Sequence, residues 1–432
     1  MVGASTAFFA GYMSTLQGLR PALPHLELLD WQDKIAIPRS FFNSIAYSHI
    51  QHLKLSRVFV EDEFQLALPN AGGSGAWPLR SLDLELEPSL EKLNVFSTLP
   101  LCASILRSCA TTLETLKWNA MPRFEKEPST AAIEALDTIP CFTALRNLTL
   151  GNVGLEHSDL LSSLVQEGLR TLDVDTEANP VYADFFRQRG CIRCLTTFVW
   201  DVYQAPIEHQ LEFLRANPQL SKLAIPHATP IELLDTSLLP LLVSSFTALS
   251  SLSLVWEGLY ISESALEMIS SLTSLTPIHL SAGNQHGWRH DWLIDHEVMR
   301  KYLGRLPSSK SIAFSRDSYN FHDVDRSFVE GYYKDKIVDR GWAIQQLIAT
   351  GQPASTARDI KMDRTNIREQ THRERITSEA TLYMGAVKKL EWICIGQIPI
   401  QCFRDPKDSL RLASERDSCW TLLRKMFGGR TD

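Results

Sequence analysis

Long apolar runs are missing from this sequence. A helix that crosses a bilayer needs about 20 consecutive apolar residues. The best stretch, Ile231 to Val243, is broken by Glu232, Asp235 and Pro240. A basic leader is missing too. The opening MVGASTAFFAGYM holds no lysine or arginine, and the first is Arg20. A secretory signal starts basic and continues into a longer apolar centre, so none is expected. Cysteine is sparse: Cys102, Cys109, Cys141, Cys191, Cys194, Cys394, Cys402 and Cys419 are scattered over 432 residues. That is not the spacing of a disulfide scaffold, and it points to a reducing, intracellular setting, cytoplasmic or nuclear. Positive charge is not in excess either. The net charge of -7 and a pI near 6.0 argue against a nucleic-acid binder, which would carry a basic face. The sequon Asn147-Leu148-Thr149 falls inside a predicted strand and reads as coincidence.

Leucine is plentiful, and it is periodic. A signature L-x-x-L-x-L recurs every 24 to 34 residues, as LRSLDL from Leu79, LETLKW from Leu113, LRNLTL from Leu145 and LRTLDV from Leu169. It continues as LTTFVW from Leu195, LSKLAI from Leu220, LSSLSL from Leu249 and LTPIHL from Leu275. LPHLEL from Leu23, IQHLKL from Ile50, LEKLNV from Leu90, SSKSIAF around Ile312 and Phe314, and LEWICI from Leu390 are weaker copies. Each signature predicts a short parallel strand whose first, fourth and sixth residues enter the core. Between signatures the spacing turns helical. Ser158 is placed to cap a helix through Leu160, Leu161 and Leu164, and Ser262 one through Ala265, Leu266 and Ile269. Ile207 to Ala216 and Ile231 to Ser245 read the same way. A strand-then-helix unit at this period predicts an α/β solenoid, with a parallel inner sheet and helices on the convex side, of roughly ten to twelve repeats.

The consensus resembles the leucine-rich-repeat superfamily, and its irregular period resembles the helical branch that includes ribonuclease inhibitors and F-box substrate adaptors. The ending KKLEWICIGQIPI, Lys388 to Ile400, and the charged run before it are similar to fungal F-box-like leucine-rich-repeat proteins. The resemblance implies non-catalytic protein recognition through the concave face, in an F-box protein as the substrate-recognition subunit of a cullin-type ubiquitin ligase. A stand-alone scaffold or inhibitor is the other role it allows. Two departures stand out. An F-box is a helical segment opening on a Leu-Pro pair, whereas Leu23-Pro24 leads into what reads as a repeat strand. The superfamily also often places Asn or Cys just past the third leucine. Here those positions hold Glu177, Tyr203, Ala228 and Glu257, so the turns there are expected to be irregular.

The segments expected are residues 1–20 as an N-terminal stretch, 21–314 as solenoid, 315–388 as a charged insertion with Ala357 to Thr377 exposed, 389–400 as the last repeat strand, and 401–432 as a tail or cap. No catalytic constellation, cofactor or metal site is expected. Gly72-Gly73-Ser74-Gly75-Ala76 lacks the last glycine of a hydrolase elbow and precedes a strand instead of following one. Cys191-x-x-Cys194 is half a zinc motif with no second pair nearby, and core packing is the reading preferred. His286, His290, Asp291, Asp295 and His296 cluster without a zinc-protease pattern. There Asp295 is placed as a helix cap, and Trp288 and Trp292 as anchors of a contact loop. Trp118 and Trp200 replace third leucines and belong in the core. The positions facing out of the sheet are acidic: Asp173, Asp175 and Asp201 in one patch, Asp83 and Glu85 in a second that Lys117 partly neutralises. A partner protein with a basic segment is the ligand these carboxylates imply.

Overall fold

A computed structural model describes residues 11, 15, 23, 25–32, 36–46, 48–66, 77–88, 98–119, 141–153, 155, 158–176, 180–202, 207–283, 292, 294–314, 375–395, 398–404 and 409–412. The chain forms two compact units, Met1–Asn217 and Pro218–Asp432.

In the first unit β1 (Leu28–Trp31), β3 (His52–Val60), β4 (Ser81–Pro88), β5 (Thr115–Asn119), β6 (Asn147–Gly151), β7 (Thr171–Thr176) and β8 (Thr197–Val202) lie side by side in that order, with β2 (Ala36–Ile37) beside β3. Every pairing is parallel. Parallel neighbours need a crossover, and helices such as Leu99–Cys109, Asp159–Leu164 and Pro180–Arg189 provide it. The fourth leucines stack in register as Leu53, Leu82, Leu116, Leu148, Leu172 and Phe198. The sixth positions stack as Leu55, Leu84, Trp118, Leu150, Val174 and Trp200. All twelve are buried, Trp118 and Trp200 among them. Around Trp200 the rings of Phe186, Phe198 and Phe213 meet at centroid distances of 5.0 to 6.4 Å, mostly edge to face, the geometry that aromatic quadrupoles favour.

One backbone device repeats at each strand entry. A single carbonyl takes two successive N–H groups from the next repeat: Arg80 from Glu114 and Thr115, Glu114 from Arg146 and Asn147, Arg146 from Arg170 and Thr171. These bonds do not depend on side chains, which is why a variable sequence keeps a constant register.

In the second unit β9 (Lys222–Thr229), β10 (Ser251–Trp256), β11 (Pro277–Ser281), β12 (Ser311–Phe314) and β13 (Trp392–Ile395) are parallel neighbours. Leu223, Leu252, Ile278, Ile312 and Ile393 form one buried column, and Ile225, Leu254, Leu280, Phe314 and Ile395 the next. Helices Glu263–Ser271 and His296–Leu303 lie in the connections. The fold is therefore the expected α/β leucine-rich-repeat solenoid.

Several local expectations need correcting. In the first repeat the frame lies three residues later than the LPHLEL signature. Leu29 and Trp31 register with Leu53 and Leu55, and Leu28 is 60% exposed. Ser262 caps its helix, accepting from the Ala265 N–H at 3.0 Å. Ser158 occupies the cap position but makes no such bond. The helix from Ile231 to Ser245 contains a π-turn at Leu234–Leu238. Pro240 has no N–H to donate to the preceding turn, and the wider turn absorbs that loss. Near the end of the second unit, residues 375–386 are helical and bury Ile376, Ala380, Tyr383 and Met384. Residues 375–386, inside the segment expected to be an insertion, thus pack as part of the second unit, and Ile376 contradicts the exposure expected as far as Thr377. Residues 315–374 lie outside the described residues. Past β13 two strands foreseen by no signature, β14 (Ile398–Phe403) and β15 (Ser409–Leu412), add antiparallel pairs.

Candidate recognition face

Strand residues between the leucine columns point away from the helices. In the first unit the middle column reads Asp30, Lys54, Asp83, Lys117, Thr149, Asp173 and Val199 across adjacent strands. The next column reads Glu85, Asn119, Gly151, Asp175 and Asp201. The first half of this face is charge-matched. Lys54 Nζ lies 3.1 Å from Asp30, Lys117 Nζ 3.4 Å from Asp83, and Arg57 Nε 3.7 Å from Glu85. Arg57 reaches Glu85 from a bulge between Leu55 and Val58, where it adopts a φ of 54°. Burial raises the Asp83 carboxyl above its usual range, and Lys117 pulls it back down.

The second half is different. Asp175 stands opposite Asp201 in register, and Asp173 is two residues before Asp175 on the same side of β7. Adjacent strands are about 4.8 Å apart, so the carboxylates of Asp175 and Asp201 are neighbours. All three aspartates are half-buried. Burial first, then the charges of Asp175 and Asp201, push Asp173 up to about 6, with Lys117 acting weakly in the other direction. Like charges held this close destabilise a sheet. The three expected carboxylates are therefore brought together, and Asp83 and Glu85 have Lys117 and Arg57 beside them. Lys117 had been read from the sequence. Lys54 was also readable, as the fifth residue of IQHLKL, but Arg57 depends on a bulge that has no sequence signature.

The middle column of the second unit carries no carboxylate, lysine or arginine. It reads Ala224, Ser253, His279, Ala313 and Cys394. The last four are at most 3% exposed, and β12 and β13 are buried along their whole length. Ser253 Oγ and His279 Nδ1 are hydrogen-bonded at 2.7 Å within it.

The expected contact loop is corrected at Trp292. That indole is 1% exposed and packs edge-on to Phe314 at 6.1 Å, so it anchors the core and not a partner. Trp288, His286, His290 and Asp291 lie outside the described residues, as do Gly72 to Ala76. Asp295 caps helix His296–Leu303, accepting from Glu297 N and Val298 N at 3.1 and 3.0 Å. His296 is buried, with Nδ1 3.1 Å from the Tyr383 hydroxyl. Cys191 and Cys194 are both exposed, contrary to the core packing expected. Ile192 between them fills the core instead. Among the described residues no group of three or more His, Cys, Asp or Glu side chains is arranged to hold a metal ion, and no helix is long and apolar enough to cross a membrane.

No protein-family model matches the chain, and no curated protein does. Among solved structures it is similar to human 5T4 (Wnt-activated inhibitory factor 1, trophoblast glycoprotein), at 17% identity and a TM-score of 0.28, over 46% of this chain and 69% of that one. A superposition of that quality lends no weight to a role.

Proposed function

We propose that the protein is a non-catalytic recognition module and that its first unit binds a basic protein segment on the face turned away from the helices. One observation carries the reading. Asp173, Asp175 and Asp201 are set side by side on two registered strands, where their like charges repel and help to raise the Asp173 carboxyl. A cationic segment laid across β7 and β8 removes that repulsion. Complementary charge also speeds encounter and selects partners. An arginine-rich peptide is the probe. It should bind more weakly as salt rises toward physiological strength, where the Debye length is about 8 Å.

A finer reading, substrate selection for a cullin-type ubiquitin ligase, is suggested only by the resemblance to F-box-like proteins. A pull-down with the purified linker subunit of such a ligase tests it. No direct binding by this chain is expected, because its Leu23-Pro24 pair leads into strand β1. Tight direct binding would establish the ligase link.

A further inference from the structure

We infer that Cys191 and Cys194 form a redox-active surface dithiol, closed to an intramolecular disulfide by small-molecule disulfides. Both thiols face solvent, and the backbone between them is fixed from below. Ile192 is fully buried, and its N–H donates to Asn217 Oδ1 at 2.8 Å. Asn217, itself fully buried, donates back through Nδ2 to the carbonyls of Gly190 and Phe213 at 3.0 and 2.8 Å. One side chain therefore clamps the chain on both sides of Cys191. Beyond it the Leu195 N–H closes a turn onto the Ile192 carbonyl at 3.0 Å. With Ile192 and Leu195 turned inward, the two cysteines are left outward with the exposed, cationic Arg193 between them.

Glutathione disulfide is the oxidant by class; Arg193 stands between the cysteines, and Glu167 Oε2 accepts from its backbone N–H at 3.4 Å. One cysteine thiolate attacks the glutathione disulfide, forming a mixed disulfide and releasing one glutathione. The other cysteine then attacks the protein sulfur and releases the second. The protein loses two electrons and two protons, and one glutathione disulfide becomes two glutathiones, as thiol–disulfide exchange requires.

The chain contains its own control. Cys141-Phe142-Thr143-Ala144-Leu145 is the same turn in an earlier repeat, with Leu145 N bonded to Phe142 O at 3.2 Å. Its cysteine is also exposed, but alanine stands where Cys194 would be. Trypsin cuts after Arg193, so only a disulfide holds fragments 190–193 and 194–215 together. The reduced full chain is treated with glutathione disulfide at neutral pH, capped with iodoacetamide, digested without reductant and read by mass spectrometry. The two fragments should appear linked and separate on reduction, while Cys141 carries glutathione. In Cys194→Ser, Cys191 should keep its glutathione as Cys141 does. Separate wild-type fragments, each bearing glutathione or an unreacted thiol, would overturn the inference.

Discussion

Asp173 is the residue on which the account depends most. Its carboxyl titrates near 6 because burial and two neighbouring carboxylates disfavour its charge. A carboxyl raised in the folded state stabilises the fold when protonated, below its unfolded value near 4. That stability is lost as pH rises through about 6. Asp173→Asn removes the penalty. The variant should gain about 1–2 kcal/mol over wild type at pH 7.5, and the gain should vanish near pH 4, where wild type is also neutral. Urea denaturation at the two pH values measures this. A variant that is less stable at pH 7.5 would show the carboxylate to be a structural acceptor. The same titration predicts that a basic ligand binds better at pH 7.5 than at pH 5.

At the scale of elements, the π-turn Leu234–Leu238 illustrates how a local irregularity is put to use. It holds Asp235 where Oδ1 accepts from the Trp256 indole N–H at 3.0 Å and Oδ2 from the Ser262 hydroxyl at 2.5 Å. One carboxylate thus ties strand β10 to the cap of the next helix. Asp235→Ala leaves a fully buried indole N–H without this acceptor and should cost about 1–3 kcal/mol. An unchanged melting curve would mean that the tie contributes nothing. Elements were legible in the sequence where one side chain per position sufficed. Leu148, Leu172, Leu223 and Leu252 stand where the signature puts them because a parallel strand reads its residues in alternation. The first repeat follows the second of two overlapping frames, LELLDW from Leu26 and not LPHLEL from Leu23, with Trp31 buried and Leu29 half-buried. β14 and β15 gave no periodic signal, because antiparallel additions need no crossover helix. Cys191 and Cys194 were misjudged because cysteine is commonly buried, while the clamp by Asn217, 23 residues beyond Cys194, decided that Ile192 goes inward.

For the whole molecule, the contrast between the two units matters more than the net charge. Both stack leucine-type columns under a parallel sheet, yet among the described residues the middle column of the opposite face carries Asp and Lys in the first unit and neither in the second. A sequence shows which residues fill those columns, but not which carboxylates crowd one another. That distinction separates the Asp173 patch from the patch of Asp83 and Glu85, and it gives the central claim its test. A fluorescent arginine-rich peptide is titrated at pH 7.5 and low salt against wild type, the triple variant Asp173→Asn, Asp175→Asn, Asp201→Asn, and the control Asp83→Asn, Glu85→Gln. Anisotropy should show binding reduced at least about tenfold by the triple change, the equivalent of 1.4 kcal/mol, and little altered by the control. Equal affinity in all three proteins, or an equal loss in both variants, would contradict the account.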